Sequence, residues 1–196
     1  MNKRNQLRLL TLAGAMAPLS AMAHTGHDVG GFLQGILHPV SGADHLLVML
    51  AVGLMAVGQK GEMSSRTRIA VPVAFLLAMV AGTLLAIAGL TVPFVEQGIV
   101  VSVIAAGVLL ALAVRFSLVA GIIVAAGFAL FHGLAHGAEL PLAAHPVAYI
   151  AGFLITTSVL LMVGTRLGQL ADSYSMGLIS RVAGVGVAAF GVLATV

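Results

Sequence analysis

Apolar runs of about twenty residues, the length an α-helix needs to cross the hydrocarbon of a bilayer, recur along this chain with only short polar breaks between them. Six can be read, near 31–58, 69–90, 97–114, 116–137, 146–165 and 178–196. The breaks are QKGEMSSRTR, TVPFVEQ, the single Arg115, GAELPLAAHP and RLGQLADSYS, which leave no room for a soluble domain. Backbone in lipid must satisfy its own hydrogen bonds, so runs of this length dictate helices. The expected fold is an all-α membrane protein of six transmembrane helices in contact with a lipid bilayer. Only 8% of the residues are charged, against about 25% in soluble domains. The 24 glycines fit helices that pack backbone to backbone in lipid. With no cysteine, disulfides, thiolate metal sites and thiol catalysis are excluded.

The first 23 residues read differently. MNKRNQLR is a positive n-region, LLTLAGAMAPLSA a short apolar core, and AMA before His24 a small-x-small cleavage site, together a cleavable secretory signal peptide. Residues 24–30 then form an extracytoplasmic arm, and 31–196 the six-helix domain. Removing Lys3, Arg4 and Arg8 leaves six basic side chains against six acidic ones. The basic pI near 10.0 therefore belongs to the export signal, and no nucleic-acid partner is implied.

With the mature N-terminus outside, the breaks after the first, third and fifth spans face the cytoplasm. They, and the start of the sixth span, hold Lys60, Arg66, Arg68, Arg115, Arg166 and Arg181, as the positive-inside rule requires. Both termini are then extracytoplasmic, and the expected location is the cytoplasmic (inner) membrane of a bacterium. The same topology brings all seven histidines to or near the outer face.

Two polar clusters interrupt the apolar pattern. In GILHPVSGADHLLVM, His38, Asp44 and His45 flank Pro39 and Gly42. A proline and a glycine this close break the first helix near Pro39–Gly42. Non-helical backbone at that depth is tolerated where protein or water surrounds it, as in the ion sites of transporters. Asp44 can cap the following helix, bind an ion, or orient an imidazole. In FHGLAHGAEL, His132 and His136 stand at i and i+4 with Glu139 three residues on, all on one helical face. Two imidazoles so spaced can chelate one divalent ion, with the carboxylate as third ligand or supporting partner. Intramembrane ionisable groups cost about 2.5–3.5 kcal/mol each and mark function by default. His145, beside Pro146, and Met49 have structural readings instead.

Imidazole and carboxylate without thiolate select nickel, cobalt, zinc or copper(II) over magnesium and calcium. The His24 amine with the His24 and His27 imidazoles adds a secondary, entry-side nitrogen donor group if cleavage follows Ala23. No phosphate-cradling loop followed by Lys-Ser/Thr is present, so the membrane potential is the expected driving force.

HPVSGADHLLVM (His38 to Met49) resembles the HPxxGxDHxxxM signature of the HupE/UreJ family, and FHGLAHGAE (Phe131 to Glu139) resembles its histidine motif on the fourth helix. The similarity runs through the whole mature chain. It implies a nickel permease, with cobalt handled by some members, linked to hydrogenase or urease maturation. His38, Asp44, His45, His132, His136 and Glu139 would be its metal-handling residues. The expected function is therefore secondary transport of Ni2+, with Co2+ or Zn2+ as alternatives, by a protein with no resident cofactor and no catalytic role. The rival is an intramembrane zinc-dependent hydrolase on the same cluster, with Ser41 or Asp44 assisting a bound water. A bis-histidine haem protein fits less well, because the short distances within each cluster suit chelation.

Overall fold

The structure, a computed structural model, describes residues 31–57, 65–140, 145–173 and 177–195. Residues 1–30, with the expected signal peptide and the expected arm holding His24 and His27, and Lys60 lie outside them. The described residues form seven α-helices and no strand: α1 (Gly31–Ser41), α2 (Ala43–Met55), α3 (Ser65–Ile87), α4 (Val95–Ala111), α5 (Leu118–Ala138), α6 (Pro146–Ser173) and α7 (Gly177–Leu193).

Helices α1 and α2 are the two arms of the broken first segment, bent by 76°. The break falls at Gly42, whose backbone is extended (φ −95°, ψ 118°), whereas Pro39 lies inside α1. The physical reason is local. Proline removes one donor but holds a φ that suits a helix. The chain leaves helical geometry only where Ser41 Oγ, donating to the His38 carbonyl at 2.8 Å, satisfies an orphan acceptor of the last turn. The Gly42 carbonyl then accepts from Leu46 N–H at 3.0 Å, opening α2.

Glycines set the helix pairs. Gly133 and Gly137 of α5 lie against the Met79 and Thr83 carbonyls of α3, and Gly121 faces Val71, so α3 and α5 run parallel. Gly107 of α4 meets Gly184 and Ala188 of α7, while Gly191 meets Ile104, an antiparallel pair. Helix α6 packs on both arms of the bent pair, Gly152 on Phe32 and Gly164 on Leu50. A side chain at most of these contacts would overlap partner backbone, the small-residue packing expected in lipid. Two buried hydroxyls bond back to their own helices: Thr83 Oγ1 donates to the Met79 carbonyl and Ser102 Oγ to that of Ile99.

Three helices, α3, α5 and α6, are long and apolar enough to cross a membrane, and the bent pair makes a fourth if taken as one span. Helices α4 and α7 are apolar but shorter, at 17 residues each. Met49, Phe75, Met79, Phe153 and Leu161 fill the core, while Leu77, Val101, Ile123 and Leu178 point outward. One boundary differs from expectation. RLGQLADSYS reads as a break, yet α6 continues through it to Ser173. Polar side chains end a membrane-compatible run without ending a helix, and this stretch has no proline before Ser173.

The turns that close α3 and α4 also differ from each other. Helix α3 ends on Gly89 at φ 93°, with Leu90 N–H donating to the Leu85 carbonyl at 3.0 Å. Helix α4 ends with the same six-to-one bond, Val114 N–H to the Leu109 carbonyl at 3.0 Å, but with Ala113 at φ 54°. The left-handed conformation suits glycine and strains alanine.

Candidate metal centre

The site forms where the end of α5, the α1–α2 break and the start of α6 meet. Along α5 the pattern His132-Gly133, His136-Gly137 repeats after four residues, so imidazoles and glycines occupy adjacent faces. The glycine face lies on α3. The histidine face turns toward the other helices, and both rings are fully buried. His38 comes from the last turn of α1 and His45 from the first turn of α2.

Four imidazoles thus form a connected group. Ring centroids are 4.6 Å apart for His38 and His136, 4.9 Å for His136 and His45, and 4.9 Å for His45 and His132. Among the described residues, His38, His45 and His136 alone offer ligand atoms that all lie within 4.8 Å of one another. Two nitrogens bound to one ion at about 2.1 Å stand at most about 4.2 Å apart. An ion would therefore draw the three rings inward by roughly half an ångström.

Hydrogen bonds fix which nitrogen is free. Asp44 Oδ1 accepts from the His45 backbone N–H at 2.8 Å and stands 2.9 Å from the His45 ring Nδ1. A carboxylate only accepts, so Nδ1 carries the proton and Nε2 keeps its lone pair. The Phe128 carbonyl, 2.9 Å from His132 Nδ1, dictates the same tautomer there. His45 Nε2, His132 Nε2 and both nitrogens of His136 are buried with no hydrogen-bond partner. Buried polar atoms in folded proteins are normally paired. Three of these, one on each of His45, His132 and His136, are lone-pair nitrogens that fit a divalent ion as their missing partner, while the other His136 nitrogen carries the proton.

At the mouth, Glu139 caps α5 and its Oε2 lies 3.2 Å from His38 Nε2. The hydrogen bond from His38 holds the Glu139 carboxyl below its ordinary value of 4.5. Side-chain exposure falls from 50% at Glu139 to 26% at His38 and 9% at His45, and to nothing at His136 and His132. The group is a ladder leading inward from one end of the helix assembly.

All six sequence-selected residues come together, but the closest imidazole group is not the pair that helical spacing suggested. The i, i+4 pair of α5 does not by itself make the closest group of candidate ligand atoms. His136 joins His38 and His45, one residue from each of three helices, while His132 stands deeper beside His45 and 6.4 Å from Phe75. Asp44 orients a ring, and Glu139 pairs with His38. Ser41, one of the two residues that could assist in the hydrolase alternative, donates to the His38 carbonyl. His145 is exposed. Two residues were missed. Phe153 stacks on His136 at 4.7 Å with ring planes 7° apart. Tyr149 is buried 6.0 Å from His38 with its hydroxyl unpartnered. A lone tyrosine next to the polar break before the fifth apolar run was the available signal.

Fold and site together define an all-helical, membrane-type protein with a buried multi-histidine cluster. The family model described as HupE / UreJ protein matches residues 11–194, and the chain belongs to the HupE/UreJ family. Protein HupE of Rhizobium leguminosarum bv. viciae is 39% identical over 181 residues, covering 92% of this chain and 93% of the relative. No solved structure matches the chain.

Proposed function

We propose that this chain is a permease that carries a divalent transition metal, nickel first and cobalt or zinc next, across the bacterial inner membrane into the cytoplasm. The observation that carries this reading is the inward ladder of imidazoles, of which His45, His132 and His136 hold buried, unpartnered ring nitrogens. The family name, with its hydrogenase and urease associations, supports a nickel or cobalt cargo and a link to maturation of such an enzyme. In the full reading, residues 1–23 are a cleaved signal peptide, six spans follow, and both termini lie outside, with His24 and His27 on the exported arm.

The exposure gradient and the imidazole ladder then act in sequence. Glu139, the most exposed of the six, and His38, its ion-pair partner, attract the hydrated cation and replace its first waters. His45 and His136 complete a three-imidazole set with His38, and Asp44 keeps the His45 ring in the tautomer that binds. His132 offers the next nitrogen inward, one ring-to-ring step of 4.9 Å from His45. Each imidazole is a neutral ligand, so the ion keeps its full charge during passage. At about 2.3 kcal/mol per charge per 100 mV, an inside-negative potential favours entry of two charges by roughly 4.6 kcal/mol, on the order of a thousandfold in concentration. No nucleotide is required.

Accumulation of radiolabelled nickel in cells expressing the intact chain tests the reading, with unlabelled cobalt and zinc as competitors. Uptake that depends on the chain and falls at least tenfold in His45→Ala and His136→Ala supports it. Unchanged uptake in both variants, with metal-dependent cleavage of a lipid or peptide by the purified protein, overturns it in favour of a hydrolase.

A further inference from the structure

At the end of the molecule away from the histidines, residues of α3 and α6 line an apolar groove of about 570 Å³. Pro72, Val73, Leu161 and Met162 line it, with Arg68 and Arg166 among its polar members. Arg166 follows Tyr149, the neighbour of His38, by 17 residues along α6, or about 25 Å at 1.5 Å per residue. Arg68 precedes Thr83, which packs against Gly137, by 15 residues, or about 22 Å. Both arginines therefore stand near the opposite boundary of a hydrocarbon layer about 30 Å thick.

We propose that this groove binds one anionic phospholipid, its phosphate between Arg68 and Arg166 and an acyl chain along the apolar wall. Among the described residues neither arginine pairs with a carboxylate. A guanidinium is the side chain best matched to phosphate oxygens. The wall is open to the side, with Ile69 65% and Met162 59% exposed, so a chain can enter laterally from the bilayer. Its volume lies within the range of roughly 300–1,000 Å³ usual for organic ligands. Two cations beside an apolar groove at the membrane boundary match the amphiphile's own division of charge and hydrocarbon. Basic pockets between helices on the cytoplasmic side take anionic headgroups for this reason. The site is separate from the imidazole cluster and does not rest on its assignment.

The test uses the full chain in detergent, incubated with equimolar palmitoyl-oleoyl phosphatidylglycerol and phosphatidylcholine, with retained lipid counted by native mass spectrometry. Phosphatidylglycerol should be retained roughly tenfold or more over phosphatidylcholine. The preference should vanish in the Arg68→Gln/Arg166→Gln double variant and survive in Arg181→Gln. Val73→Trp, which fills the groove and leaves both charges, should also lower retention and keeps the proposal open to refutation if the double variant fails to fold. Equal retention of the two lipids, or unchanged preference in the double and Val73→Trp variants, overturns it. So does displacement of the lipid by inorganic phosphate alone, which would mark a simple anion site, or a dimer whose contact closes the groove.

Discussion

Leucine at position 136 separates a metal ligand from a packing residue, because the two roles predict opposite signs. His136 is fully buried, and neither ring nitrogen has a partner. A buried unsatisfied polar group costs about 1–3 kcal/mol, and a neutral imidazole carries one donor and one acceptor. The main loss on substitution is the stack on Phe153 at 4.7 Å, worth about 0.5–1.5 kcal/mol beyond area burial. Leucine keeps the apolar bulk, so the metal-free variant should be more stable by about 1 kcal/mol, or roughly 2–4 °C in a chain of this size. Metal should act in the other direction. A ligand at a hundred times its Kd stabilises the native state by about 2.7 kcal/mol, so the wild type should gain roughly 5–10 °C on adding nickel. His136→Leu should lose most of that gain. Thermal unfolding in detergent, with and without nickel, reads both quantities. A metal-free variant less stable than wild type, with its nickel shift intact, would refute the assignment and make His136 a packing residue.

Other expectations follow from neighbouring contacts. Asp44→Asn leaves His45 Nδ1 beside an amide that no longer dictates its tautomer; nickel affinity by calorimetry should fall about 10–100-fold, as for other residues that orient metal ligands. Gly42→Ala should also weaken binding, because a Cβ there would come within 2.8 Å of Asp44 Oδ1 and 3.0 Å of His45 Nδ1; an affinity equal to wild type would show that the carboxylate and ring can shift together. Glu139 has a lowered carboxyl pKa, so the stability it contributes is present above the ordinary value of 4.5 and is lost as pH falls through its folded value; Glu139→Gln should remove this acid-side slope from a stability–pH profile. Ala113→Gly relieves a left-handed alanine and should raise stability by up to about 1 kcal/mol, seen as a higher melting temperature with unchanged nickel binding.

The elements that hold the site were legible because each has a local cause. Repeated apolar runs dictate helices, and glycine beside histidine every four residues on α5 dictates one face for packing and another for chemistry. The Pro39–Gly42 interval located the bend, although which residue carries it depended on the Ser41 hydroxyl and on where α2 begins. The closest imidazole group was not legible. Spacing within one helix pairs His132 with His136, whereas the rotation of α5 against α1 and α2 places His136 at the shared point and His132 one ring deeper. That rotation is fixed by Gly133 and Gly137 meeting α3 carbonyls, a contact between distant segments. Phe153 escaped notice for the same reason: as a side chain in an apolar run it signals core, and only the parallel planes of the two rings give it a second role. The C-terminal extent of α6 was hidden because hydropathy reports the lipid boundary and not the end of hydrogen bonding.

The central claim is that His38, His45 and His136 converge on one divalent ion. X-ray absorption at the nickel edge, on the full chain loaded with one equivalent of nickel, tests it most directly. The predicted spectrum shows a mononuclear centre with three imidazoles at about 2.1 Å, losing one imidazole's scattering in His38→Ala, His45→Ala or His136→Ala. A nickel shell with no imidazole contribution, or one unchanged by all three substitutions, would contradict it.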